Sequence, residues 1–286
     1  MNRRQFLQQA TAGGILALGW PLKFSWAVAP AANVQPLKMV FYTDVHARLE
    51  RGAPDAMALA AEAINAQKAD LVLGGGDFIS GGIESSVQSI APRWDVYRKM
   101  HQAIKPEPVV VLGNHDLVGV EPEDGSAPVA DPRTDAREKL GITDTYRAFD
   151  FHGYHFILLD CTEITANEDG YRGYIWEEQM TWLKRDLESV DRQTPIVLLC
   201  HMPLLTAFYQ RTLGIDAPVP PDRGVVNNLE VLAACEKHNL LLALQGHLHV
   251  NEMIRWRNTT FITGGAISGR WWRGNWHGTD PGYGVL

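Results

Sequence analysis

Cysteine is scarce in this chain. Its 286 residues include three, Cys161, Cys200 and Cys235, and none forms a Cys-x-x-Cys. The odd count argues against a disulfide framework, and the missing thiolate clusters argue against a structural zinc site. Cys200 ends an apolar run and reads as a small core residue. A basic surplus is missing too: 26 Lys and Arg stand against 33 Asp and Glu, for a formal net charge of −7. A chain this acidic has no general attraction for polyanions, so long nucleic acid is not expected as substrate or partner. Beyond the first residues no apolar run is long enough to span a bilayer. No internal repeat is present. Acidic side chains are absent before Asp44.

That acid-free start is organised. Asn2-Arg3-Arg4-Gln5-Phe6-Leu7 sets paired arginines ahead of an apolar pair. A mildly apolar run rich in Ala and Gly follows from Ala10 to Trp20, and small residues gather at Ala27-Val28-Ala29 and Ala31-Ala32. The pattern resembles a bacterial twin-arginine export leader; the other reading is a basic anchor that stays attached. Residues 1–32 are therefore expected to be leader and linker, residues 33–286 one domain, and the destination the periplasm or another exported location.

The remainder has ordinary globular composition, 45% hydrophobic and 21% charged. Short apolar runs alternate with helical patterns. Strands are expected at Leu37–Thr43, Asp70–Gly74, Pro108–Leu112, Pro195–Cys200 and Leu240–Leu244. Helices are expected at Pro54–Gln67, Ser85–Ile104, Ile175–Val190 and Asn227–His238. Tyr146–Phe151 and Tyr154–Asp160 read as a hairpin across His152-Gly153, and Glu252–Arg257 and Thr259–Thr263 as another. Apolar strands followed by helices imply covered sheets, and the hairpins imply mixed ones. Leu117–Arg133, Cys161–Tyr174 and Met202–Val226 read as long loops, which in compact domains are usually functional. Tyr283-Gly284-Val285-Leu286 reads as the start of a strand.

Five polar clusters each follow an expected strand: Asp44-Val45-His46, Gly74-Gly75-Gly76-Asp77, Gly113-Asn114-His115-Asp116, His201, and Gly246-His247-Leu248-His249. In α/β sheets ligands collect at the carboxyl ends of strands, so five such clusters converge on one place. Taken singly, each has an ordinary explanation. Asp44-x-His46 could be a capped loop, Gly-Asp a turn, and His201 a packed histidine. The ordered set is what points to a site. Carboxylate, imidazole and amide oxygen suit divalent Mn, Fe or Zn. Four histidines and two aspartates are too many for one ion and enough for two. His101, His152, His155, His238 and His277 lack such settings and read as surface or packing residues.

The order D-x-H, G-D, G-N-H-D, H, G-H-x-H resembles the calcineurin-like metallophosphoesterases, over roughly Met39 to His249. That resemblance implies an α/β fold, a four-layer α-β-β-α sandwich with mixed sheets. It implies two divalent metal ions: Asp44, His46 and His249 on one, Asn114, His201 and His247 on the other, Asp77 bridging. His115 would be the catalytic histidine beside the leaving group, with Asp116 a candidate to orient it. A water shared by the two ions would attack phosphorus as hydroxide. The run Gly76-Asp77-Phe78-Ile79-Ser80-Gly81-Gly82 lacks the second Asp and the Arg of the protein Ser/Thr phosphatase motif, and no tyrosine follows Asp77 as in purple acid phosphatases. The pattern is most similar to the bacterial branch of exported and cyclic-nucleotide-phosphodiesterase-like enzymes. It implies a small phosphate-ester substrate, mono- or diester, with a lean towards diesters.

Substrate choice is expected to lie in the loops. Gly264–Gly284 is rich in glycine and aromatics, with Trp271, Trp272, Trp276, His277 and Tyr283, flanked by Arg270 and Arg273. These rings could stack a base, or cap a sheet edge. Two other classes compete with the enzyme: a non-catalytic metal-binding scaffold of the cell envelope that retains the fold, and an exported structural protein that binds no metal.

Overall fold

The computed structural model describes residues 34–166 and 170–286. The expected leader and linker lie outside the described residues. Two sheets form the centre. The first contains β1 (Met39–Tyr42), β2 (Leu71–Gly74), β3 (Val109–Val110) and β12 (Gly284–Val285), in the order β12-β1-β2-β3. β1, β2 and β3 run parallel, and β12 is antiparallel to β1. The second contains β4 (Arg147–Phe151), β5 (Tyr154–Leu158), β8 (Pro195–Leu199), β9 (Asn239–Gln245), β10 (Glu252–Trp256) and β11 (Thr259–Thr263), in the order β10-β11-β9-β8-β5-β4. Its middle four strands are parallel, and each edge is a hairpin strand. Both sheets are mixed, as expected.

Alternation along the strands sorts the layers, because successive side chains point to opposite faces. Met39 and Phe41 of β1 and Leu71 and Leu73 of β2 face inward, against Phe156, Leu158, Val197, Leu199, Leu242 and Leu244 of the second sheet. Val40, Tyr42 and Val72 face outward, onto α1 (Ala53–Ala66) and α2 (Val87–Ala103). Ile157, Ile196, Leu198 and Ala243 face the other way, onto α4 (Glu177–Ser189) and α6 (Asn228–Cys235). The architecture is the four-layer α-β-β-α sandwich.

Local chemistry sets the element ends. Pro54 stands at the start of α1, where its missing N–H costs nothing. Ser86 caps α2, its hydroxyl accepting from Ser89 N at 3.2 Å. His152 and Gly153 both take positive φ, 53° and 83°, the tight-turn geometry that matches strand twist. α4 buries Met180, Leu183 and Leu187 at helical spacing.

Two of the three long loops carry structure of their own. Cys161–Tyr174 holds the two strands β6 (Thr162–Ile164) and β7 (Tyr171–Gly173), paired antiparallel. α3 (Thr134–Leu140) follows the first loop, and α5 (Phe208–Leu213) lies within the third. Elements this short leave no periodicity to read. The cysteines are free and buried. Among the described residues no helix is long and apolar enough to cross a membrane.

Candidate metal centre

The five polar clusters leave the carboxyl ends of β1, β2, β3, β8 and β9, strands that are parallel within each sheet. Asp44, His46, Asp77, Asn114, His201, His247 and His249 are all buried there. On one side, Asp44 Oδ1 lies 3.3 Å from His249 Nε2, and His46 Nε2 lies 2.9 Å from that same nitrogen. On the other, His201 Nε2 is 3.2 Å from His247 Nδ1 and 3.2 Å from Asp77 Oδ2. Asp77 Oδ2 is also 3.6 Å from His46 Nε2, so one carboxylate oxygen serves both groups. Ligands held at about 2.0–2.2 Å from an ion sit roughly 3 Å from one another, which these separations match.

Outer partners fix the direction of the lone pairs. His201 Nδ1 donates to Gly75 O at 2.7 Å, His247 Nε2 to Asp222 O at 2.9 Å and His249 Nδ1 to Gly269 O at 2.5 Å. A carbonyl only accepts, so in the neutral ring the proton is on that nitrogen and the inward nitrogen carries a lone pair. Asp44 Oδ2 accepts from Thr43 Oγ1 at 2.7 Å and His247 N at 3.0 Å, while its Oδ1 is buried without a partner. Asn114 Oδ1 is likewise buried and unpartnered. Unpaired buried acceptors cost folding free energy, so their convergence with imidazole lone pairs fits divalent cations. The donors fit two ions, with Asp44, His46, Asp77 and His249 to hold one and Asp77, Asn114, His201 and His247 the other.

The electrostatics agree at four of the ligands. At His201 and His249 burial is overcome by Asp77 and Asp44, which raise the first ring to about 10 and the second above the ordinary histidine range, so each would give up its proton to a cation. Burial alone would raise the Asp44 carboxyl, but His249 and His201 outweigh it and hold it at about 2. Asp77 is held well below the carboxylate range against burial by His201 and His115. Burial and the neighbouring His201 push His247 down to about 3, and burial with His115 pushes His46 down. Both anions and these two neutral rings are the forms that bind a cation.

The chain is bent to achieve this. Asp44, His46, Asp77, His247 and His249 all take positive φ, between 46° and 69°. The left-handed region costs a residue with a Cβ on the order of 1 kcal/mol or more, and such strain gathers at functional sites. Two glycines permit the close approach. A Cβ on Gly113 would stand 2.2 Å from Asp77 Oδ1, and one on Gly246 2.2 Å from Thr43 Oγ1.

His115 and Asp116 part company. The His115 ring lies 4.7 Å from that of His46. Its Nδ1 accepts from Gly81 N at 2.9 Å, which leaves the ring proton on Nε2. Asp116 does not orient this ring, contrary to the sequence expectation. A tight turn, Asn114–Asp116, sends it the other way, where its oxygens accept from Asp77 N and Phe78 N at 2.8 Å and Gly113 N at 2.9 Å. Asp116 therefore ties the Asp77 loop to the Asn114 loop. Burial and the neighbouring Asp77 push its carboxyl up to about 7.

The aromatic segment divides as well. Trp271 lies over the ligand rings, 4.5 Å from His249 and 5.8 Å from His46, and Trp276 meets Trp271 at 5.9 Å. Trp272 sits beneath, its Nε1 donating to His46 O at 3.0 Å. Tyr283 is elsewhere, its hydroxyl donating to Ala63 O on α1 at 2.9 Å. The carbonyls of Gly75, Asp222 and Gly269 escaped the sequence reading because a backbone acceptor has no side-chain signature.

The calcineurin-like phosphoesterase family model matches residues 37–251. Among solved structures, a dimetal phosphatase from Danio rerio superposes with a TM-score of 0.61 at 16% identity, covering 80% of this chain and 87% of that one. A phosphopantetheinyl hydrolase from Mycobacterium tuberculosis superposes with a TM-score of 0.53 at 14% identity, covering 89% and 96%. At such identities the likeness is one of fold. No curated protein matches the sequence.

Proposed function

Because this chain belongs to the calcineurin-like phosphoesterase family, we propose that its buried centre hydrolyses small phosphate esters, with diesters preferred over monoesters. A metal-dependent phosphoesterase is what the family and the candidate metal clusters support together. The observation that carries the reading is the shared Asp77 carboxylate between two sets of inward lone pairs.

Divalent Mn, Fe or Zn bound by these residues would supply Lewis-acid polarisation of the phosphate and a water acidic enough to be a nucleophile near neutral pH. The chain supplies the rest. Asp44 and Asp77 remain anionic, and the outer hydrogen bonds of His201, His247 and His249 keep the site preorganised. The Asn114 amide can stabilise charge on the phosphate oxygens. His115, with Nδ1 occupied by Gly81, offers its Nε2–H to the departing oxygen. Trp271 covers the Asp44 side and limits bulk water there. Export by the twin-arginine leader belongs to the same proposal, and replacing Arg3 and Arg4 by Lys should retain the protein in the cytoplasm.

The test uses residues 33–286. Elemental analysis should find about two metals per chain. The same sample with added Mn should cleave bis-p-nitrophenyl phosphate faster than p-nitrophenyl phosphate, and chelator should abolish both. Folded protein that takes up no metal would sink the reading. A preference for the monoester would reverse the choice of substrate class.

A further inference from the structure

Four arginines near the metal centre have no part in the chemistry above. Arg48 follows His46 by two residues, and Arg51 follows on the same loop; Arg93 comes from α2 and Arg273 from the segment after β11. Arg48 Nη2 donates to Ser80 Oγ at 3.1 Å, and Arg93 Nη1 donates to the Ser80 carbonyl. The next residue, Gly81, is the one whose N–H holds His115. A Cβ on Gly81 would stand 3.0 Å from Arg93 Nη1, so the missing side chain leaves room for that guanidinium. On the other flank Arg51 Nη1 donates to Trp271 O at 3.2 Å, on the backbone that carries the indole over His46 and His249. Arg48 and Arg93 thus stand on the His115 side of the metal centre, and Arg51 stands where Trp271 covers it.

Their charge is not balanced by the fold. Among the described residues only Glu50 comes within ion-pair reach of any of the four, 3.2 Å from Arg48 Nη1, and its side chain is 61% exposed. The Arg48 side chain is only 16% exposed, and its Nε is buried without a partner. Arg51, Arg93 and Arg273 all lie near enough to Arg48 to repel it, and Glu50 alone attracts it. Like charges gathered this way repel, and a chain of net charge −7 has carboxylates to spare for pairing them. Cations beside a metal centre cannot serve to attract metal. Planar guanidinium groups do match phosphate oxygens, two hydrogen bonds at a time. Asp44 and Asp77 offset half the charge of two divalent ions, and the reacting phosphate offsets more of it. The arginines remain for a second anionic group.

We propose that Arg48, Arg51, Arg93 and Arg273 form a second anion subsite, which takes a phosphate group carried on the leaving-group side of the substrate. The preferred esters then bear two phosphates. The placement relative to the reacting phosphorus rests on the phosphoesterase reading; the anion binding does not.

The probes are adenosine 5′-monophosphate, with one phosphate, and adenosine diphosphate and adenosine 3′,5′-bisphosphate, with two at different spacings. For the Mn-loaded enzyme, kcat/KM on at least one two-phosphate probe should exceed that on the monophosphate by about tenfold or more. The Arg48→Gln/Arg93→Gln and Arg51→Gln/Arg273→Gln pairs should each cut that ratio about tenfold. The second pair guards against misfolding, since it leaves the bonds to Ser80 intact. Calorimetric titration of chelator-treated protein with adenosine diphosphate should show binding that both pairs weaken and Glu50→Gln strengthens. A wild-type ratio near one, an equal loss on all three probes, or titrations that the variants do not alter would overturn the subsite. Binding by the metal-free protein, lost in the variants, with no ester cleaved by the loaded wild type, would instead keep the subsite and overturn the phosphoesterase reading.

Discussion

The floor of the site and its rim are built in opposite ways. On the floor, the Asp44, His46, Asp77, His201, His247 and His249 side chains are buried, and most of their outward atoms are tied to backbone. On the rim, Arg51, Arg270 and Arg273 are exposed and Trp271 and Trp276 half-buried, and the bonds that place them run largely through loop carbonyls. Burial fixes ligand geometry to a fraction of an ångström and leaves no tolerance for change. Exposure lets a surface vary without unfolding the domain. The floor therefore commits the protein to a chemistry, and the rim decides what receives it.

The largest effect should come from breaking the floor at its shared atom. Asp77→Ala removes a carboxylate common to both clusters, whose other oxygen accepts from the His115 backbone N–H. The loss in metal affinity should exceed the roughly 10–100-fold that outer partners of ligands carry. Elemental analysis after dialysis, with turnover on both p-nitrophenyl esters, measures it; retention of the full metal complement would remove Asp77 from its assigned place. Next comes His115→Gln, which should lower kcat by about 10²–10⁴-fold while metal content holds. A parallel fall in metal would make His115 a ligand, an arrangement its place with His46 and Asp77 keeps open.

Asp116→Asn sharpens the contrast from beneath. The carboxylate accepts from three backbone N–H groups within 2.9 Å, and an amide would turn one acceptor into a donor facing them. A buried mismatch of this kind costs about 1–3 kcal/mol, which for a domain of this size lowers Tm by roughly 2–12 °C. Thermal melting monitored by circular dichroism checks it. An unchanged melting point with a collapse of kcat would restore Asp116 to a direct role. On the rim, Trp271→Ala should raise KM for an aryl ester about three- to tenfold and leave metal content alone, in keeping with the modest worth of one aromatic contact.

The same contrast explains what the sequence could disclose. The short apolar runs of β1 and β2, the His152-Gly153 turn and the helical spacing of Met180, Leu183 and Leu187 were legible because each is local. The ligand motifs were legible because each hugs a strand end. Asp116 was misread because neighbours in sequence are not neighbours in space once a tight turn intervenes. Left-handed backbone at Asp44 and His249 is invisible, since nothing but glycine announces positive φ. Arg93 approaches Gly81 from a helix whose sequence gives no hint of it. The rim is assembled by tertiary contact and was legible only as composition.

A final prediction concerns buried charge with no chemistry attached. His155 is the second residue of β5, at the end of the sandwich away from the metal centre, and sits between Asp150 (Nδ1 to Oδ1, 2.7 Å) and Asp186 (Nε2 to Oδ2, 2.9 Å). Burial opposes its protonation, but Asp186 and Asp150 prevail and raise it above the ordinary histidine range. A histidine raised on folding contributes stability that is fully present below its unfolded value, about 6.5, and is lost as pH climbs through the raised folded value. The melting-point advantage of the wild type over His155→Gln should thus be greatest near pH 6 and shrink towards pH 9, while turnover ratios between the two proteins stay level across that range. A gap that widens with pH would mean the ring is held neutral between its carboxylates. A matching change in turnover would join this end of the molecule to the floor of the site, and the division between charge for structure and charge for chemistry would fail.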